Sequence, residues 1–238
     1  MSAPACREKR ILALETSTES CSAALLTGAG LCHRALPAGS GHSERVLPLI
    51  RELLAEAGLT LSDLDAIAYG AGPGAFTGLR LACAVTQGLA FGAGLPVIGV
   101  GTLEALAWAT GKSRVYAALD ARMNEVYFAA YEIEGLELRE VLCPGVAAAE
   151  EAGVPEGEGW FGCGSGFSSY REALVQRLGP ALMDFDASRV PDAVAVVRLA
   201  AARLARGPGL DPFEAQPAYV RQKVALTTAE RLARGGKA

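Results

Sequence analysis

Short apolar runs separated by turn residues open the chain. Residues 11–14, 22–26 and 31–36 read as strands, with Thr/Ser and Gly positions between them at hairpin spacing, so the fold begins with an antiparallel meander. A helical period takes over at 43–57 with Gly58 as its stop. Residues 66–70 read as a strand, and a Gly-rich turn leads into a helix over 76–91 and a strand at 97–100. The pattern then restarts, with strands at 114–120 and 126–133 around a polar turn and a third at 136–142. Helices are expected near 168–178 and over 191–206, the last opened by Pro191 and closed by Gly207-Pro208. Each half starts with a strand that ends in an acid, Glu15 or Asp120, followed by a polar turn and a returning strand. Such an echo marks a duplicated unit, and it predicts an α/β protein of two lobes, residues 1–102 and 103–238.

The two helices of the first half are more apolar than one core contact requires. At about 100° per residue, Val46, Leu47, Leu49, Ile50, Leu53, Leu54 and Ala57 cover an arc of roughly 160°. In the second helix Leu79, Leu81, Ala82, Ala84, Val85, Leu89, Ala90 and Phe91 lie all round, with Arg80 and Gln87 the main polar exceptions. A helix apolar on every side is buried on every side. Either the lobe wraps it fully or an exposed face meets another protein. The uncharged stretch 81–103 is long enough to cross a bilayer, but its five Gly, Pro96 and Gln87, with a break at Gly94-Leu95-Pro96, make it a core helix followed by a strand.

Composition narrows the function classes. With 51% hydrophobic and 20% charged residues the chain is too apolar for disorder. A net charge of −4 excludes a self-sufficient grip on a nucleic-acid backbone. Charge is uneven, with eight Glu and only Arg139 over 132–158, and five Lys/Arg and only Glu230 from Tyr219 onward. These read as a solvated acidic region and a solvated basic tail, the tail also suiting a contact with RNA or a partner. The six cysteines form no C-x-x-C pair and the start lacks the apolar stretch of a secretory signal, so reduced thiols and a cytoplasmic location are expected. His33 and His42 form no H-x-x-x-H pair, and no G-x-S-x-G elbow occurs, so neither a metal site nor a serine nucleophile is expected.

Two motifs touch phosphate chemistry. Glu15-Thr16-Ser17-Thr18, at the first hairpin tip, offers an acid and hydroxyls to a phosphate or its metal ion, or is simply a polar turn. The segment Gly70 to Arg80, GAGPGAFTGLR, places a Gly-rich turn between strand and helix. It either exposes backbone N–H groups to an anion or uses its glycines for close helix packing. It matches neither the P-loop nor the dinucleotide fingerprint.

Together, Ile11-Leu12-Ala13-Leu14-Glu15-Thr16-Ser17, His42-Ser43-Glu44-Arg45, the Gly72 to Arg80 run GPGAFTGLR, Asp120-Ala121-Arg122 with Glu125-Val126-Tyr127, and Pro217-Ala218-Tyr219-Val220-Arg221 resemble the TsaB (YeaZ) family in order and spacing over nearly the whole chain. The resemblance implies an actin/Hsp70-like (ASKHA) duplicated ribonuclease-H-like fold and a role in making threonylcarbamoyladenosine in tRNAs that read codons beginning with A. It implies a non-catalytic scaffold for a TsaD-like subunit, which transfers the threonylcarbamoyl group from threonylcarbamoyl-AMP, with a TsaE-like ATPase joining the complex. A homodimer when alone, contact with tRNA only through the complex, and no cofactor are also implied. The partner interface is expected on the first two helices, at His42, Ser43, Val46, Leu47, Ile50, Leu54, Leu81 and Val85. TsaD-like proteins use paired histidines for a metal, whereas His42 alone stands in the corresponding region here. The family usually has Asp where this chain has Glu15, which weakens a nucleotide-binding role. The rival expectation is an ATP-dependent phosphotransferase, favoured by the two acid-tipped hairpins.

Overall fold

The computed structural model describes residues 9–36 and 41–221. The first sheet contains β1 (Ile11–Glu15), β2 (Cys21–Thr27), β3 (Gly30–Leu36), β4 (Ala66–Gly72) and β5 (Val97–Gly101), in the order β3-β2-β1-β4-β5. Strand β1 runs antiparallel to β2 and parallel to β4. The second sheet contains β6 (Arg114–Asp120), β7 (Glu125–Glu134), β8 (Glu137–Ala148), β9 (Trp160–Cys163) and β10 (Leu182–Asp186), in the order β10-β9-β6-β7-β8. Strand β6 is antiparallel to β7 and parallel to β9. Each sheet is thus an antiparallel meander extended by two parallel strands, and the duplication expected from the two acid-ended strands is present in the topology.

Alternation along the central strands decides what covers each face. Leu12, Leu14, Ile67 and Tyr69 point to the side taken by α1 (His42–Glu56) and α2 (Phe76–Ala93). Ile11, Ala13, Ala66 and Ala68 point to the other side, where small residues let α6 (Ala193–Arg206) approach. Helix α6 therefore packs on the first sheet, although chain order assigned 193–206 to the second lobe. Between the sheets lies α3 (Thr102–Trp108). Its Ala105 belongs to the first-sheet core, while Leu103, Leu106 and Ala107 pack with Val115, Ala117 and Leu119 of β6. Arg203 of α6 pairs with Glu104 of α3 at 2.5 Å, which fixes α3 against the first sheet.

Several local expectations need correction. Helix α3 and strand β9 were not expected, because seven and four residues are too few for a period to show, and β10 was not, because Asp184 and Asp186 interrupt its apolar run. The single helix expected near 168–178 is two, α4 (Gly166–Ser169) and α5 (Arg171–Leu178), broken at Tyr170 with φ −134° and ψ 39°. Helix α6 does not open on Pro191. Asp192 is its cap, accepting from Val194 N at 2.7 Å, and Pro191 lies before it. Strand β8 runs past 142 to Ala148 despite Pro144, which an edge strand with register shifts accommodates. Among the described residues no helix is long and apolar enough to cross a membrane.

Because α3 joins the two sheets, truncating its fully buried Leu106 should destabilise the whole chain. Leu106→Ala is expected to lower unfolding free energy by about 3 kcal/mol, read from urea denaturation. A loss below about 1 kcal/mol would show that α3 does not bear on the second-sheet core.

Candidate functional site

At the first hairpin tip the acid turns inward. Glu15 is buried, with Oε1 accepting from Ser17 N at 2.6 Å. Its other oxygen lies against Gly70, where an added Cβ would come within 2.0 Å of Oε2. Glycine at 70 therefore makes the room that a glutamate needs. Burial pushes the Glu15 carboxyl up from its ordinary value, hydrogen bonds from Ser17 oppose this, and the charge of Asp192 adds to it. Glu15 shapes the turn from beneath and does not present a carboxylate to the space between the lobes.

The Gly-rich turn resolves the same way. A Cβ on Gly74 would sit 2.4 Å from Ser17 O, and one on Gly78 would sit 1.9 Å from Thr16 O. Ala75 N donates to Ser17 O at 2.6 Å, and Thr16 Oγ1 donates to Gly78 O at 2.7 Å. Of the two readings left open by the sequence, the glycines here serve close packing of α2 on the first hairpin. The amides of Ser17 and Ala75 are occupied within the protein.

The second tip keeps its acid at the surface of the cleft. Asp120 accepts from Arg122 N at 2.7 Å and from Tyr170 Oη at 3.1 Å. Arg122 also reaches Glu19 of the first tip at 2.9 Å. Between the tips is a cavity of about 560 Å³ lined by Ser17, Pro73, Phe76, Asp120, Tyr127 and Arg189, among others. Among the described residues no group of three or more His, Cys, Asp or Glu is placed to hold a metal ion. His42 Nε2 contacts Glu19 O at 3.0 Å, and His33 Nε2 lies 2.9 Å from Asp192 Oδ2, so the two imidazoles serve separate places.

The helical face differs from the expected one. Val46, Ile50 and Leu54 are 0%, 3% and 7% exposed and belong to the protein's own core, so they are removed from the candidate interface. They sit at helical spacing on the side of α1 that faces the sheet. Leu47, at the edge of the same arc, is 41% exposed, Ser43 is exposed, and His42, Leu81 and Val85 are half-buried. What the residue-by-residue reading missed is the outer side of α2, where Ala84, Gly88, Phe91 and Gly92 are exposed while Leu79, Ala82, Cys83, Thr86 and Ala90 are buried. The signal was present in a helix apolar all round. An added Cβ at Gly88 or Gly92 meets nothing within 4 Å, so neither glycine is needed for packing inside this chain. Phe91 meets Phe213 edge to face at 5.1 Å, and both are largely exposed.

The family model described as TsaD, tRNA N6-adenosine threonylcarbamoyltransferase, matches residues 37–234. The tRNA threonylcarbamoyladenosine biosynthesis protein TsaB of Escherichia coli (strain K12) is 38% identical over 226 residues, covering 91% of this chain and 96% of that protein. The protein of the same name from Haemophilus influenzae is 37% identical over 227 residues, covering 90% and 94%. The structure of YeaZ from Pseudomonas aeruginosa superimposes with a TM-score of 0.82 at 42% identity, covering 89% of this chain and 99% of that one.

The buried acid gives a pH signature. A carboxyl whose folded pKa is raised binds its proton more tightly in the folded state, so its contribution is full below its ordinary value near 4.5 and is lost as pH rises through the folded value. Glu15→Gln cannot ionise. The stability of the unaltered chain relative to this variant is therefore expected to fall as pH rises from about 4 to about 8, measured by urea unfolding at each pH. A constant difference across the series would mean that Glu15 titrates no differently on folding.

Proposed function

The chain belongs to the TsaB family of tRNA threonylcarbamoyladenosine biosynthesis proteins, and from that premise we propose that it is a non-catalytic subunit that docks a TsaD-like transferase on the outer face of α2. A TsaE-like ATPase joins the pair, tRNA is reached through the complex, and the setting is the cytoplasm. In the absence of the transferase the same face takes a second copy of this chain.

One observation carries this reading. Glycine within a helix costs about 0.5–1 kcal/mol relative to alanine, and Gly88 and Gly92 bear that cost with nothing inside the chain to justify it. Four residues apart, they lie on one side of α2 beside exposed Ala84 and Phe91, so an outside helix can approach its backbone closely. Leu47 of α1 is a further exposed apolar side chain.

The non-catalytic part of the proposal is supported by the hairpin tips. Glu15 is withdrawn under Gly70, and the Gly-rich turn is closed onto the first hairpin. The rival, an ATP-dependent phosphotransferase, draws on the cavity of about 560 Å³ beside Asp120. Calorimetry with Mg-ATP separates the two, since tight binding with phosphate release would favour the rival.

Purified chain alone is expected to transfer no threonylcarbamoyl group, and its addition to a TsaD-like subunit with TsaE, ATP and threonylcarbamoyl-AMP should raise turnover. Unchanged turnover would contradict the scaffold reading. Gly88→Leu, at an open position, should leave the isolated chain at least as heat-stable while weakening its association with the TsaD-like subunit by at least about tenfold, or ~1.4 kcal/mol. Undiminished association would place the docking face elsewhere.

A further inference from the structure

The cleft between the lobes is joined at one side by α3 and at another by a strap, residues 215–221, that crosses from lobe to lobe. On the first lobe, Ala215 O accepts from Cys83 Sγ at 3.3 Å and from Gln87 Nε2 at 3.1 Å, both on the inner side of α2. Gln216 exchanges two hydrogen bonds with the Tyr69 hydroxyl. Ala218 N donates to Ala71 O at 2.7 Å, and Ala218 O lies so close to Gly72 that an added Cβ there would meet it at 2.8 Å. Tyr219 packs against the Phe76 ring at 5.7 Å and accepts from Arg80 Nε at 3.0 Å. All of these holds belong to the first lobe.

Arg221 then grips the second lobe. Its guanidinium pairs with Glu125, stands 5.8 Å from the centre of the Tyr127 ring and reaches Met123 Sδ at 4.0 Å. The Arg221 side chain is 15% exposed and that of Glu125 38%, so the pair is shielded on the arginine side only. The turn it holds is strained. Arg122, Met123 and Asn124 have φ of 61°, 55° and 61°, three successive left-handed residues, none of them glycine. A turn of this kind persists only where its surroundings over-determine it. Here Asp120 takes Arg122 N, Glu125 N returns to Arg122 O, and Arg221 holds Glu125. The other bridge between the tips, Glu19 to Arg122, joins side chains 75% and 72% exposed and contributes little.

We propose that the C-terminal strap is a latch for the interlobe cleft: the Arg221–Glu125 pair holds the second hairpin to the first lobe, and its release lets the cleft open. The strap is bonded along the first lobe by backbone and ring contacts, so Arg221 is the point at which the strap itself can let go of the second lobe. Nothing in the latch depends on what docks on α2.

The test is a distance across the cleft mouth. Nitroxides are placed at Thr77 and Ser168, exposed residues of the two lobes, in the full chain with Cys6, Cys32 and Cys143 replaced by serine, and the separation is read by double electron–electron resonance. The unaltered latch is expected to give one dominant distance. R221Q and E125Q should each shift a major fraction of molecules to a longer distance, and the exchanged pair R221E/E125R should return most of them to the short one. Circular dichroism confirms that each variant is folded, and E125Q, with its more exposed side chain, carries the test if R221Q does not fold. A distance unchanged in the folded single variants overturns the latch.

Discussion

The rest of the structure depends on one close approach, the seating of the start of α2 on the β1–β2 hairpin. With no Cβ at Gly74 or Gly78, the backbone of the turn can lie directly on Thr16 and Ser17, and hydrogen bonds run both ways across the seam. Once its first turn is fixed, α2 has no freedom to rotate. Leu79, Ala82, Cys83, Thr86 and Ala90 must go inward, and the side bearing Ala84, Gly88 and Gly92 must stay outside. A seam of this kind is built for placement. It uses glycines that could have cradled an anion to hold a helix at a set angle.

The same seam accounts for Glu15. Beneath a hairpin tip that is covered by α2, the acid has no route to the cleft. Its length is accommodated by Gly70 and its charge is disfavoured by burial. The second tip is met by the turn into α4, with Ser165 and Tyr170 bonded to Asp120, yet Asp120 remains beside the cavity, held also by Arg122. Two hairpins that look alike in sequence are thus used differently, one as a seat for α2 and the other as the element that the strap grips.

What could be read in the sequence follows from how far each signal reaches. The meanders were legible because alternating or continuous apolar runs over five or more residues carry a strand period, and the acid ends of β1 and β6 exposed the duplication. Strand β9, with four residues, and α3, with seven, carry no period of their own and owe their form to the sheets they join. Chain order also gave no sign that α6 returns to the first sheet, since that depends on the small residues Ala13, Ala66 and Ala68 leaving space for it. At the site, an arc of apolar residues on α1 could be counted, but which part faced the sheet could not. Val46, Ile50 and Leu54 went to the core and Leu47 to the surface. The excess of apolar surface on α2 was visible, while its meaning required the open space over Gly88 and Gly92.

The central claim is that this chain acts through the outer face of α2 and not through its cleft. Hydrogen exchange of the full chain, with and without a TsaD-like subunit, distinguishes the two directly. Docking on the helix predicts slowed exchange across Phe76–Ala93 with little change at the cleft positions 17–20 and 165–169. Protection confined to those cleft positions, with α2 exchanging as it does in the free chain, would contradict the account.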